Sequence, residues 1–232
     1  MNVLVGTSGY AYKEWKGVFY PVSTKPDQML GYYGTRFPTV EINNTFYRMP
    51  RESVLETWAS QVPDTFRFVL KASRRITHLQ RLKDVDGPLS YLINAATVLG
   101  SRLGPLLFQL PPNMKKDLSR LEVFLSLLPE GRRAAVEFRD ESWFEDDVYD
   151  ALHSCNAALC VADTDEKPGQ IVATADWGYL RLRRAAYDDA SLTTWAQSVG
   201  RQPWRDAFVF FKHEEKGTAP EQALSFIELL PE

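Results

Sequence analysis

Apolar and polar positions follow two rhythms along the chain. Period-two runs occupy residues 3–8, 39–46, 66–72, 105–110, 134–139, 158–163, 178–183 and 207–212, the spacing that sends successive side chains to opposite faces of a strand. Between them apolar residues recur every three or four positions, as in Met29, Leu30, Tyr33 and Phe37 or Leu118, Leu121, Phe124, Leu125 and Leu128, which predicts helices with one apolar face. Asp86-Gly87-Pro88 and Thr218-Ala219-Pro220-Glu221 read as helix starts, the second with capping-box spacing, and Gly100 and Gly200 fall where helices end. After Asp163 no helical pattern follows, and Pro168-Gly169 with the short run 170–175 predicts a loop.

Strand and helix patterns that alternate without a long linker or low-complexity tract predict parallel βα units. Eight such units in 232 residues predict an α/β fold, a (β/α)8 TIM-type barrel forming one domain over 1–232, with the helix after strand six missing or degenerate. An open doubly wound sheet is the competing arrangement, but no Gly-x-Gly-x-x-Gly follows the first strand. In a barrel the greasier strand face turns toward the helices: Val40 and Ile42, Phe68 and Leu70, Leu106 and Phe108, Val136 and Phe138, Leu180 and Leu182, Val209 and Phe211. The lumen near the carboxyl ends of the strands then receives Glu41, Asn43, Lys71, Gln109, Glu137, Arg139, Asp163, Arg181, Arg183 and Lys212.

Charge narrows the classes of partner. With 27 Lys and Arg against 30 Asp and Glu, a net charge of -3 and a pI near 5.7, the chain is not a generic nucleic-acid or membrane binder. A local basic rim is still available in Arg74, Arg75, Arg81 and Lys83 together with Arg183 and Arg184. The first six residues read directly as a strand, so no signal peptide is expected, and no apolar run approaches the ~18 residues of a membrane span. Cys155 and Cys160 match no metal or redox spacing. A cytoplasmic protein with both thiols reduced, buried and structural is expected.

Gly6-Thr7-Ser8-Gly9-Tyr10, Trp15-Lys16-Gly17-Val18-Phe19-Tyr20-Pro21, Thr39-Val40-Glu41-Ile42-Asn43-Asn44-Thr45-Phe46-Tyr47, Lys71-Ala72 with Ile76-Thr77-His78, Gly104-Pro105-Leu106-Leu107-Phe108-Gln109-Leu110-Pro111-Pro112, Ala135-Val136-Glu137-Phe138-Arg139 with Ser142-Trp143-Phe144, and Ala162-Asp163 together resemble the DUF72 (YecE-like) family over nearly the whole chain. The resemblance implies a TIM-type barrel with a polar cavity at one end and carries no established activity. Two departures fall late: Arg183-Arg184 stands where a His-Gly is expected, and Lys212-His213 where paired asparagines are expected. No role is carried over to those two loops.

The polar lumen admits several readings. A scaffold reading pairs Glu137 with Arg139 or Lys71 and Glu41 with Arg181, although ion pairs taken out of water are poorly repaid relative to apolar filling. A metal reading uses Glu41, Glu137, Asp163 and His213, as in a metal-dependent isomerase or nuclease-like hydrolase. It is opposed by Lys71, Arg139, Arg181 and Lys212, since like charges ~4 Å apart repel by roughly 4 kcal/mol at an effective dielectric near 20. No metal and no cofactor are expected. The charge balance favours a small anion clamped by Arg139 and Arg181, with Asn43, Gln109 and His78 as further contacts and Tyr10, Trp15 and Trp143 as stacking platforms. Lys71 is a third anion contact or a proton donor, and Glu41, Glu137 and Asp163 complete the catalytic set. Glu41 and Glu137 facing each other across a lumen would also suit glycoside cleavage. The expectation is a monomeric enzyme, an isomerase, lyase or hydrolase, acting without metal on a phosphorylated or carboxylated sugar-like or nucleotide-like molecule. The alternative from another class is a non-catalytic nucleotide or nucleic-acid binder using the basic rim.

Overall fold

The computed structural model describes residues 1–212 and 217–230. Eight strands, β1 (Asn2–Ser8), β2 (Thr39–Ile42), β3 (Arg67–Lys71), β4 (Leu103–Gln109), β5 (Ala134–Glu137), β6 (Ala158–Asp163), β7 (Trp177–Leu182) and β8 (Asp206–Phe211), pair in parallel and in chain order, and β8 pairs with β1 to close the barrel. The helices are α1 (Met29–Gly34), α2 (Glu52–Ser60), α3 (Asp86–Ala96), α4 (Leu118–Ser126), α5 (Asp146–Ser154), α6 (Asp189–Gly200) and α7 (Thr218–Glu228). One follows each strand except β6, which reaches β7 through a non-helical loop, as its sequence predicts. None of the described helices is long and apolar enough to cross a membrane.

The strand faces sort as the alternation demands. Val40, Ile42, Phe68, Leu70, Leu106, Phe108, Val136, Leu180, Leu182, Val209 and Phe211 are buried in one cluster with the inward stripes of the helices, among them Leu30, Tyr33, Leu55, Leu121, Phe124, Leu192 and Phe226. Residues one position away, Leu4, Val69, Leu107, Ala135, Ala158, Cys160, Trp177, Tyr179, Phe208 and Phe210, form a second cluster that fills the lumen. Large rings on β7 and β8 pack in the same cluster as the small Ala135 and Ala158 of β5 and β6, so the barrel is packed rather than hollow. Cys160 is buried there, whereas Cys155, expected to be buried, is exposed at the end of α5.

Strand ends account for the shape of the mouth. β2, β3 and β5 stop at Ile42, Lys71 and Glu137, short of the sequence patterns, because the chain leaves the ladder there to turn into the loops. Asn43 and Arg139 therefore sit just beyond the last paired residues, at the rim. Gly6 marks a close approach in which a Cβ would lie 2.1 Å from the Thr39 carbonyl oxygen of β2. Helix starts follow side-chain caps at Asp117 and Asp188, which accept from the backbone N–H of Arg120 and Ser191. For α7 the cap position belongs to Gly217, in a left-handed conformation, one residue before the Thr218 expected from the capping-box spacing.

Candidate functional site

The mouth is built around one guanidinium. Arg181, from β7, is 1 % exposed and spans the lumen: Nη2 donates to Oε1 of Glu41 on β2 at 2.8 Å, and Nη1 donates to Oε2 of Glu137 on β5 at 2.5 Å and lies 3.4 Å from Oε1 of Gln109 on β4. Glu41 receives three more donors, Ser8 Oγ (2.8 Å), Asn43 Nδ2 (3.0 Å) and the Tyr179 hydroxyl (2.6 Å). Glu137 Oε1 accepts from Arg139 Nε at 3.0 Å and lies 3.7 Å from Arg183 Nη1. Both carboxylates are almost fully buried.

Burial by itself pushes the Glu41 carboxyl up, but Arg181 and the Tyr179 and Ser8 hydroxyls overcome it and hold the group below the usual carboxylate range. Glu137 is likewise raised by burial and then carried down to about 2 by Arg181, Arg139 and Arg183. Lys71 is the reverse case. Its Nζ donates to Gln109 Oε1 at 2.7 Å and sits 4.5 Å from the centre of the Phe46 ring, with no carboxylate in ion-pair range among the described residues. Burial first, then the neighbouring Arg181 charge, lower its amine to about 8, against weaker support from Glu137 and Glu41.

Beside Lys71, His78 binds Thr77 Oγ1 through Nδ1 at 2.9 Å and meets the Phe46 ring edge-on at 4.9 Å. Burial, then Lys71 and Arg139, lower its imidazole. Tyr10 is half-buried against Tyr33 and lines a pocket of about 220 Å3 with Tyr12, Asn43, Asn44 and Trp58, between the first two loops.

Residues 4–232 match the family described as "Protein of unknown function DUF72". The chain belongs to the DUF72 family. It is 28% identical to a DUF72 family protein of Thermotoga maritima whose crystal structure superposes with a TM-score of 0.80, over 99% of both chains. An Enterococcus faecalis DUF72 structure shares the fold, with a TM-score of 0.83 at 18% identity, covering 98% of this chain and 95% of that one. By sequence the chain is similar to the UPF0759 protein YunF of Bacillus subtilis, 23% identical over 98% of this chain and 94% of that protein. It is also similar to the UPF0759 protein YecE of Escherichia coli, 32% identical over 48% of this chain and 42% of that protein.

In this DUF72 barrel the lumen brings together Glu41, Asn43, Lys71, Gln109, Glu137, Arg139, Arg181 and Arg183 as expected. Asp163 is a correction. On β6 the lumen-facing position is Cys160, so Asp163 shares the outer face with Leu159 and Val161. It accepts from the Gly169 N–H (2.8 Å), the Tyr187 hydroxyl (2.8 Å) and Arg184 Nη2 (2.9 Å), fastening the β6–β7 loop to the loop after β7. It therefore joins neither Glu41 nor Glu137, and no group of three potential metal-ligating side chains exists among the described residues. His213 lies outside the described residues.

Two of the three expected stacking platforms are also corrected. Trp15 is fully buried among Tyr12, Phe19 and Tyr20. Trp143 is fully buried, stacks on Phe138 at 4.6 Å and donates its indole N–H to the Met114 carbonyl. Both knit loops to the barrel wall, and of the three only Tyr10 reaches a pocket. The alternation also held two residues that went unread. Tyr179 precedes Arg181 by two positions and so faces the same lumen, and Ser8 is the register partner of Glu41.

Proposed function

We propose that the barrel mouth binds a small molecule carrying a carboxylate or phosphate and performs metal-independent acid–base chemistry on it, as an isomerase, lyase or hydrolase. The observation that carries this reading is the surplus of cations. Lys71, Arg139, Arg181 and Arg183 surround two carboxylates, and the two arginines nearest solvent, with side chains 33% and 19% exposed, both share Glu137. An incoming anion meets Arg139 and Arg183, whose planar donors suit it.

Glu41 and Glu137 serve this reading as supports rather than as the proton carriers first expected of them. A buried carboxylate already surrounded by donors is a weak base, whereas an amine near 8 is matched to proton transfer around neutrality. Lys71 is such an amine. The metal reading is weakened by one ligand with Asp163 turned away, and the polyanion reading by part of its rim, because Arg184 is engaged by Asp163.

The test is thermal protection by a panel of sugar phosphates, nucleotides and dicarboxylates. A cognate anion at a hundredfold excess over its Kd stabilises wild type by about 2.7 kcal/mol, and Arg139→Ala abolishes that protection. Steep, salt-dependent binding of mixed oligonucleotides with no response to any small anion would replace this reading with the polyanion one.

A further inference from the structure

We propose that Lys71 is a nucleophilic amine that condenses with the carbonyl group of a carboxylate- or phosphate-bearing carbonyl compound to form a protonated imine, a step that rests on the anion-binding reading above. The arginines of the mouth are each committed to a carboxylate: Arg139 and Arg183 to Glu137, Arg181 to Glu137 and Glu41. Lys71 is not. Its Nζ is steadied by a neutral amide oxygen of Gln109, which the same Arg181 also approaches, and by the face of Phe46. An amine stabilised as a cation by a carboxylate would be a poor nucleophile, whereas Lys71 is part-buried beside the fixed Arg181 guanidinium, which disfavours its charged form, while Gln109 and the Phe46 ring hold it in place.

Burial and then the Arg181 charge bring the amine to about 8, so about a tenth of it is neutral at pH 7. Arg139 is close enough for its charge to act on both Lys71 and His78. A carbonyl compound whose carboxylate or phosphate lies on Arg139 and Arg183 is therefore delivered beside this amine. Phe46 and His78 wall that side of the mouth.

The step balances without a co-reactant. The nitrogen lone pair attacks the carbonyl carbon, a C–N bond forms, and the carbonyl oxygen leaves as water with the two hydrogens of the neutral amine. The imine then takes up one proton. The resulting cation draws electrons from the neighbouring carbon, which is what proton abstraction or C–C cleavage next to a carbonyl requires. The isomerase and lyase branches of the proposed function gain support over the hydrolase branch.

The experiment traps the imine in the full-length protein by borohydride reduction, with pyruvate as the anionic probe and acetone as its uncharged counterpart, followed by intact-mass and peptide mapping. The expected result is one reduced adduct per chain, located at Lys71, formed by pyruvate far more readily than by acetone and absent from Lys71→Arg and Lys71→Met. Arg139→Ala slows labelling by about tenfold or more, the effect of one lost charged contact, without moving the adduct. Labelling spread over surface lysines such as Lys13, Lys25 and Lys83, or equal labelling of the Lys71 variants, overturns the proposal. If small anions still protect the protein and no adduct forms at Lys71, the covalent step fails while the anion-binding reading stands. Loss of protection as well removes both.

Discussion

Arg181 and Arg139 contact the same carboxylate and do different work. Arg181 is the shared counter-ion of two buried carboxylates, so Arg181→Ala leaves both without their main compensation and is expected to cost about 3–5 kcal/mol of unfolding free energy. Adding Glu41→Gln to that variant should return part of the loss, and urea titrations of the single and double variants measure it. Arg139 is a third exposed and Glu137 keeps Arg181 without it. Arg139→Ala should therefore cost about 1 kcal/mol or less while losing the anion response. Lys71 gives a separate signature in pH. The unfolded chain holds this proton up to about 10.5 and the folded chain releases it near 8. Between those values the unfolded state carries more protons, so stability rises with pH. Subtracting a Lys71→Met stability profile from that of wild type should show a rise over this window of at most about 3 kcal/mol. A flat difference would mean that the amine is not desolvated.

At the scale of elements, the link between β6 and β7 is the place where the repeating plan lapses and side chains take over. Other strands in the barrel are followed by a helix whose apolar stripe ties the connection down. After β6 that work falls to Asp163, which gathers the Gly169 N–H, Tyr187 and Arg184. Asp163→Ala is expected to raise hydrogen exchange in residues 164–176 and 183–188 while leaving the amides of β2 and β5 protected. If the change instead disturbed anion protection at Arg139, the residue would belong with the mouth after all. The first and fifth loops use another device, burying Trp15 and Trp143 whole. Their aromatic richness, legible as a stacking surface in the linear chain, is anchorage in the folded one.

For the whole molecule, the barrel is a packed lumen with charge confined to one end. Val69→Asp or Leu107→Asp would place an uncompensated carboxylate among Ala135, Phe208 and Phe210, at a cost of several kcal/mol that should prevent soluble folding; recovery of either variant as a stable monomeric fold in a melting experiment would contradict the packing described above. The repeat of eight βα units, the missing helix after β6 and the division of strands two to five, seven and eight into a helix face and a lumen face were determined by the sequence, because period and punctuation are local properties of the chain. The residues of the mouth were legible for the same reason, down to Glu41, Lys71, Gln109, Glu137 and Arg181. Tertiary structure decided three further matters. Asp163 shares the outer face of β6 with Leu159 and Val161, yet alternation alone does not say at which strand a polar residue falls on that face. Burial of Trp15 and Trp143 depends on which loops pack together across the barrel. Above all, partners decided environments: Glu41 and Glu137 are held below the usual carboxylate range because Arg181 reaches both from a strand 140 and 44 residues away in the chain, and the Lys71 amine is lowered because burial and Arg181 outweigh its carboxylate neighbours, none of which comes within ion-pair range among the described residues. Electrostatic environment is set by distances in space, and those exist only once the barrel has closed.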